Sequence, residues 1–175
     1  MRVLETDRLI IRYLQPEDLD EFYKICGDPE IMRYVGDGQP ISREQTQRWL
    51  EKSQENYRKY GFGCFGVVAK DDGCLIGYCG LVNPTFDGEA EIIYAFKKQY
   101  WGKGLASEAA KAMLDFGFKQ CALRRVIATI DPDNHASIKI VEKWGMEYQE
   151  QRIDEHNLPE VVYAIEAQRS DAHEA

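Results

Sequence analysis

Two glycines, Gly102 and Gly104, stand between a β-forming run that ends at Phe96 and an amphipathic helix pattern that begins at Leu105. A strand, a glycine turn and a helix in that order expose unpaired backbone N–H groups at a helix N-terminus, where the macrodipole also favours anions. The natural ligand of such a turn is a phosphate or pyrophosphate, and glycine lets it come close to the backbone. Spacing separates the possible patterns. A P-loop, GxxxxGK[ST], would need glycine in place of Lys97 and serine or threonine in place of Gly104. A dinucleotide-binding GxGxxG would need glycine in place of Ser107. Neither fits. Taken alone, the segment also reads as a helix that merely follows a glycine loop.

Downstream, Asn134-His135-Ala136-Ser137 opens a helical stretch that runs through Val141-Glu142-Lys143-Trp144 to Gly145. Asp133 or Asn134 can cap that helix and Gly145 can end it. Together the two segments resemble the acetyl-CoA-binding signature of the GNAT superfamily of N-acetyltransferases, Q/R-x-x-G-x-G/A after a strand, with an Asn-led helix ending in Glu-Lys-x-Gly-aromatic. Two registers fit. Gln99 to Gly104 matches literally, and Trp101 to Ala106 matches with Trp in first place; the second keeps the family's step from Phe96 to the first motif residue and starts the helix at Ala106. Tyr-Trp-Gly-Lys-Gly is common in the RimJ/RimL-type branch, and Glu5-Thr6-Asp7-Arg8-Leu9 is typical of the same branch. The resemblance spans nearly the whole chain.

The resemblance implies an α+β (mixed α/β) GNAT fold, a central, mostly antiparallel twisted sheet of about seven strands flanked by about four helices. It implies acetyl-CoA as cosubstrate and no metal. Backbone groups of Tyr94, Ala95 and Phe96 would pair with pantetheine, and backbone N–H groups of Trp101, Gly102, Lys103, Gly104, Leu105 and Ala106 would bind the pyrophosphate. Asn134 would reach the pantetheine arm. Lys97, Lys98 and Lys103 add positive charge nearby, although each suits a solvated surface equally well.

Acetyl transfer to an amine needs a neutral nucleophile, a polarised thioester carbonyl and a way to stabilise the leaving thiolate. By resemblance these meet in a ternary complex with direct attack. Glu91 is the candidate base, acting through water, with Glu89 and Glu155 as alternatives. Many family members use a Tyr acid where this chain has Val141, and Ser137, a helical turn earlier, takes the position of the thiol contact; Tyr163 is an outside candidate. Each also has a plain reading: Glu91 as a strand-end solvent residue, Ser137 as a helix-start serine, Asn134 as a cap, Tyr163 as core. The expected acceptor is a primary amine, foremost the N-terminal α-amine of a protein or peptide, whose pKa of about 8 makes it far easier to deprotonate than a lysine side chain at about 10.4. A polyamine, aminoglycoside or amino acid is the alternative acceptor, and a non-catalytic acyl-CoA-binding module the alternative role. The acceptor groove would come from residues 28–35 and 153–159, where Asp28, Glu30, Asp154 and Glu155 could attract a cation.

To hold these residues the chain must supply a sheet and helices, and its patterning does. Residues 8–14 read as a strand, Gln15-Pro16-Glu17-Asp18 as a helix start, and Asp28-Pro29 as a break before a short helix. Ser42 with Gln45 resembles a capping box opening a polar helix to about Lys59. Residues 63–70, 74–82 and 90–96 read as a β-meander, with Asp71-Asp72-Gly73 as a hairpin turn. The helix from Leu105 places Ala109, Ala112, Met113 and Phe116 on one apolar face. A strand at 124–130, a helix at 136–144 and strands at 147–153 and 160–167 complete the pattern.

At 175 residues the chain fits a single domain, expected over 1–168 with a frayed tail at 169–175. No apolar run approaches the roughly 20 residues of a membrane span, and charges interrupt the N-terminal stretch, so no membrane association and a cytoplasmic location are expected. The five cysteines include no CxxC pair and the three histidines do not fall at ligand spacing near them, which leaves reduced thiols. A net charge of -8 disfavours a nucleic-acid partner. A monomer or a homodimer is compatible with the sequence.

Overall fold

A computed structural model describes residues 2–168; the tail at 169–175 lies outside them. The chain forms β1 (Arg2–Glu5), β2 (Leu9–Arg12), α1 (Leu19–Cys26), α2 (Pro29–Met32), α3 (Arg43–Tyr60), β3 (Cys64–Ala69), β4 (Leu75–Val82), β5 (Glu89–Phe96), α4 (Leu105–Lys119), β6 (Arg125–Ile130), α5 (His135–Lys143), β7 (Glu147–Ile153) and β8 (Pro159–Glu166). One sheet runs in the order β1-β2-β3-β4-β5-β6-β8-β7. Every pairing is antiparallel except β5 with β6. The expected mixed, mostly antiparallel sheet therefore forms with eight strands. The additional strand is β1, which turns back on β2 through a tight connection closed by the Thr6 amide donating to the Leu9 carbonyl at 2.9 Å. The fifth helix is the single turn α2.

Local signals act as their chemistry requires. At the start of α3 the Ser42 hydroxyl accepts from the Gln45 amide at 3.1 Å and the Gln45 side chain accepts from the Ser42 amide at 2.8 Å. Two orphan donors are thus satisfied reciprocally. Asp28 caps α2 by accepting from the Glu30 and Ile31 amides.

Strand alternation then divides the core between the two faces of the sheet. Phe65, Cys79, Ile92 and Phe96 pack with Leu105, Ala109, Met113 and Phe116 of α4 on one face. Cys64, Leu75 and Tyr78 pack with Phe22, Ile25 and Leu50 of α1 and α3 on the other. Burying each such large side chain contributes about 1.5–3 kcal/mol, so these two layers fix where β5 can lie. No helix among the described residues is long and apolar enough to cross a membrane.

The feature that positions the site is where the parallel pairing ends. β5 pairs with β6 only at Glu89↔Arg125, Ala90↔Val126 and Glu91↔Ile127. Beyond that point β5 stays paired with β4 as far as Phe96, while β6 stays paired with β8 as far as Ile130. The two strands diverge into a fork, and the edge of β5 from Ile92 to Phe96 is without a strand partner on that side.

Candidate active site

A cleft of about 1430 Å³ opens at the fork. Ile92 to Phe96 of β5 and Ala128 to Ile130 of β6 form its two sides, and Gly104 to Ser107 close one end. Unpaired β5 backbone inside a cleft is a surface on which an extended chain with amide groups can add as a further strand.

Beyond the strand, Trp101 folds back so that its Nε1 donates to the Phe96 carbonyl at 2.7 Å while the ring stays half-exposed. That bond braces the strand against the turn. Gly102 and Gly104 adopt φ of 72° and 74°, left-handed values that glycine takes without steric cost. Gly104 is the N-cap of α4 and has no side chain to satisfy the first-turn amides, which leaves those donors for an anion at the end of the cleft. The three lysines near this turn divide. Lys97 pairs with Glu21 at 2.5 Å and Lys98 pairs with Glu30, so both are engaged with the first helices. Lys103 lies over the Tyr100 ring at 5.4 Å.

Asn134 is the N-cap of α5, its side-chain oxygen accepting from the Ser137 amide at 3.2 Å, and it also lines the cleft. The cap and a ligand contact are compatible, because the cap engages only the oxygen and leaves the Nδ2 donors. Ser137 lines the cleft as well, and its hydroxyl lies 2.7 Å from the Tyr94 hydroxyl. Burial pushes the Tyr94 phenol up to about 12, against the hydrogen bond to Ser137, which lowers it. Val141 is 2% exposed and belongs to the core on the α4 side; it is not part of the cleft wall.

Glu91 occupies the last paired position before the strands part. Its carboxylate accepts from the Thr129 hydroxyl of β6 and from Asn83 Nδ2 at 3.1 Å, and it faces the cleft. Because side chains alternate, Glu91 and Tyr94 lie on opposite faces of β5, one at the crotch of the fork and one three residues along it. Of the other acid and base candidates, Glu89 is bound to Arg125 at 3.0 Å. Glu155 lines the cleft but its side chain is 87% exposed. Tyr163 is buried outside the cleft wall and donates to Glu142 at 3.1 Å.

The glycine-turn motif points to Tyr94 only through its backbone; it gives no sign of the Tyr94 hydroxyl, nor of Thr129 and Asn83 around Glu91. The alternation of β5, with Ile92, Tyr94 and Phe96 on the α4 and α5 side, was the available signal for Tyr94. Nothing local marks Thr129 or Asn83.

The family model described as the acetyltransferase (GNAT) domain matches residues 8–147. The chain is 35% identical over 163 residues to YkkB of Bacillus subtilis, covering 91% of this chain and 93% of that one. It is 27% identical over 136 residues to the spermidine N(1)-acetyltransferase of Escherichia coli, covering 77% of this chain and 70% of that one. Among solved structures, a GNAT-family acetyltransferase from Bacillus anthracis superposes with a TM-score of 0.82 at 28% identity, covering 94% and 98% of the two chains. RimL, a ribosomal-protein alpha-N-acetyltransferase solved with coenzyme A, also reaches 0.82, at 13% identity and with 95% and 98% covered, a likeness of fold.

Proposed function

The chain belongs to the GNAT family and is an acetyl-CoA-dependent N-acetyltransferase, and from that premise we propose that it acetylates the N-terminal α-amine of a protein or peptide by direct attack in a ternary complex. The observation that carries the mechanism is the fork between β5 and β6. In this reading the pantetheine arm lies along the free edge of Tyr94, Ala95 and Phe96, with its amides completing the strand's hydrogen bonds. The pyrophosphate sits on the amides from Trp101 to Ala106, and Asn134 donates to the arm. That length of contact delivers the thioester to the crotch, beside Glu91.

Each chain residue then has a defined task. Glu91, oriented by Thr129 and Asn83, receives the ammonium proton through water so that the amine reaches the carbonyl neutral. The amine nitrogen bonds to the thioester carbon, the carbon–sulfur bond breaks with its electron pair leaving on sulfur, and the proton that the new amide nitrogen sheds passes to that sulfur, so that coenzyme A leaves as the thiol. Ser137 donates a hydrogen bond to the developing thiolate, and the Tyr94 hydroxyl holds the serine oxygen in place. With its phenol pushed up to about 12, Tyr94 stays protonated at neutral pH and acts as a donor.

Ion pairs take up part of the acidic charge at the acceptor end. Glu30 is bound to Lys98, and Glu160 to Arg152 at 2.7 Å. The Asp154 carboxylate accepts from the His156 and Leu158 amides. Those amides are neutral and leave Asp154 its charge, so among the described cleft residues Glu91, Asp154 and the exposed Glu155 are the carboxylates without a lysine or arginine ion-pair partner. The likeness to a spermidine acetyltransferase keeps a small amine as the second reading. A cytoplasmic location belongs to the same proposal.

The test is acetyl-CoA turnover against short peptides with free N-termini, polyamines and aminoglycosides, read as thiol release. Activity on free peptide N-termini supports the proposal, and activity confined to polyamines overturns it. Coenzyme A binding without thiol release on any amine would instead make the chain an acyl-CoA-binding module.

A further inference from the structure

The N-terminal segment Thr6 to Arg8 is bonded, across 95 to 102 residues of sequence, to the glycine turn and to the first turn of α4. Glu108, one turn into α4, is the centre of the contact. Its Oε1 accepts from the Thr6 hydroxyl at 2.5 Å and from the Arg8 amide at 3.0 Å, and its Oε2 accepts from Arg8 Nε at 2.7 Å and is ion-paired with Nη2 at 2.7 Å. Arg8 Nη1 reaches further and donates to the Lys103 carbonyl at 2.8 Å. Lys70 holds the segment from the other side, donating to the Thr6 carbonyl at 2.5 Å and pairing with Glu5 at 2.8 Å.

The bond to the Lys103 carbonyl has a directional consequence. In a trans peptide the carbonyl and the following N–H point in opposite directions. Fixing the Lys103 carbonyl on Arg8 therefore turns the Gly104 N–H away from Arg8. Gly104 lines the cleft and Arg8 does not. Both flanking glycines are left-handed and free of side-chain constraint, so the orientation of this peptide is otherwise weakly determined. Glu108 matters for a second reason. A bare carboxylate in the first turn of α4 would repel an anion at the same helix end, and the Arg8 guanidinium offsets that charge.

We propose that Arg8, seated on Glu108 with Thr6, is a positioning residue that pre-sets the glycine turn to receive the cofactor pyrophosphate. The inference rests on the acetyl-CoA reading and adds residues far from the turn in sequence to the cofactor's binding determinants. Lysine at position 8 keeps the charge but cannot bond Glu108 through a two-nitrogen fork while also reaching the Lys103 carbonyl.

The experiment measures the Kd for coenzyme A by calorimetry, and KM and kcat with acetyl-CoA, for the wild type, Arg8→Lys, Arg8→Gln and Thr6→Ala. The expected result is a rise in Kd and in KM for acetyl-CoA of about tenfold for Arg8→Gln and at least about threefold for Arg8→Lys, the scale of one lost charge-assisted hydrogen bond. With saturating acetyl-CoA, kcat stays within about twofold, because the reacting groups are untouched. A lowered kcat at unchanged Kd overturns the inference, as does an unchanged Kd in Arg8→Lys and Arg8→Gln. Should Arg8→Gln fail to fold, unchanged Kd in both Arg8→Lys and Thr6→Ala overturns it equally. Wild-type protein that fails to bind coenzyme A overturns the acetyl-CoA reading itself.

Discussion

The Tyr94 hydroxyl on β5 lies 2.7 Å from the Ser137 hydroxyl on α5, across 43 residues of sequence, and both line the fork. Each hydroxyl is poorly placed to act alone: a phenol with its pKa raised by burial is a weak acid, and a serine hydroxyl rotates freely until something accepts or donates to it. In the proposed mechanism, bonding them together presents one oriented donor to the cleft.

Ser137→Ala is expected to lower kcat by about 10- to 100-fold, with coenzyme A affinity changed by less than about threefold, on the scale of losing one donor to a developing anion. Tyr94→Phe is expected to lower it by a smaller factor, and the double variant to resemble Ser137→Ala because the two act as a unit. Steady-state kinetics with parallel calorimetry would decide this; independent, multiplicative losses would refute the pairing.

Glu91→Gln keeps the size of the side chain and its bonds to Asn83 and Thr129 within reach, but removes the carboxylate proposed to accept the proton. The expected loss in kcat/KM is about 10²–10⁴-fold near neutral pH, shrinking as pH rises above about 8 and the α-amine loses its proton unaided. A pH profile parallel to that of the wild type at all pH values would argue against Glu91 as the base.

Gly104→Ala puts a side chain on a residue at φ 74°, at a cost of about 1–2 kcal/mol. The turn can relax only by reorienting the amides offered to the anion, so the loss in coenzyme A affinity should accompany the loss in thermal stability. A variant that is destabilised yet binds coenzyme A as the wild type does would show that the turn's shape is not what the cofactor reads.

Burial raises the Cys26 thiol from 9.0 to about 12 and the Tyr94 phenol from 10.0 to about 12. Both groups have raised pKa values in the folded state, so their contribution to stability is complete below pH 9, the lower of the two ordinary values. It is lost progressively as pH rises from there through about 12, because the unfolded chain ionises these groups first. Urea midpoints measured at about pH 8, 10 and 11 should fall progressively, and a midpoint that holds level up to the highest of these would contradict the expectation.

Asp18 is held below the usual carboxylate range. Burial works against this, but the Arg12 guanidinium, bonded at 2.6 and 2.8 Å, and the Gln15 amide more than compensate. Its stabilising effect is therefore present above about pH 4 and lost as pH falls through the lowered value. Asp18→Asn should cost about 1–3 kcal/mol near neutral pH and much less at about pH 2 to 3, as read by chemical denaturation.

The sequence by itself determined the elements from β2 onward, because their signals are local. Ser42 and Gln45 lie one helical turn apart, Asp28-Pro29 forces a break at that point, and the apolar spacing from Leu105 sets the buried face of α4. The glycine turn was legible for the same reason, since Gly102, Gly104 and the helix after them are contiguous. Only the tertiary structure decided what meets at the fork. The end of pairing after Glu91↔Ile127 depends on how β4 and β8 pull the two strands apart, which no periodicity within either strand encodes. The same holds for Tyr94 with Ser137, for Thr129 and Asn83 around Glu91, and for Arg8 reaching the Lys103 carbonyl: each joins residues whose separation along the chain carries no signal, and whose contact exists only because two core layers fix the strands and helices that bear them.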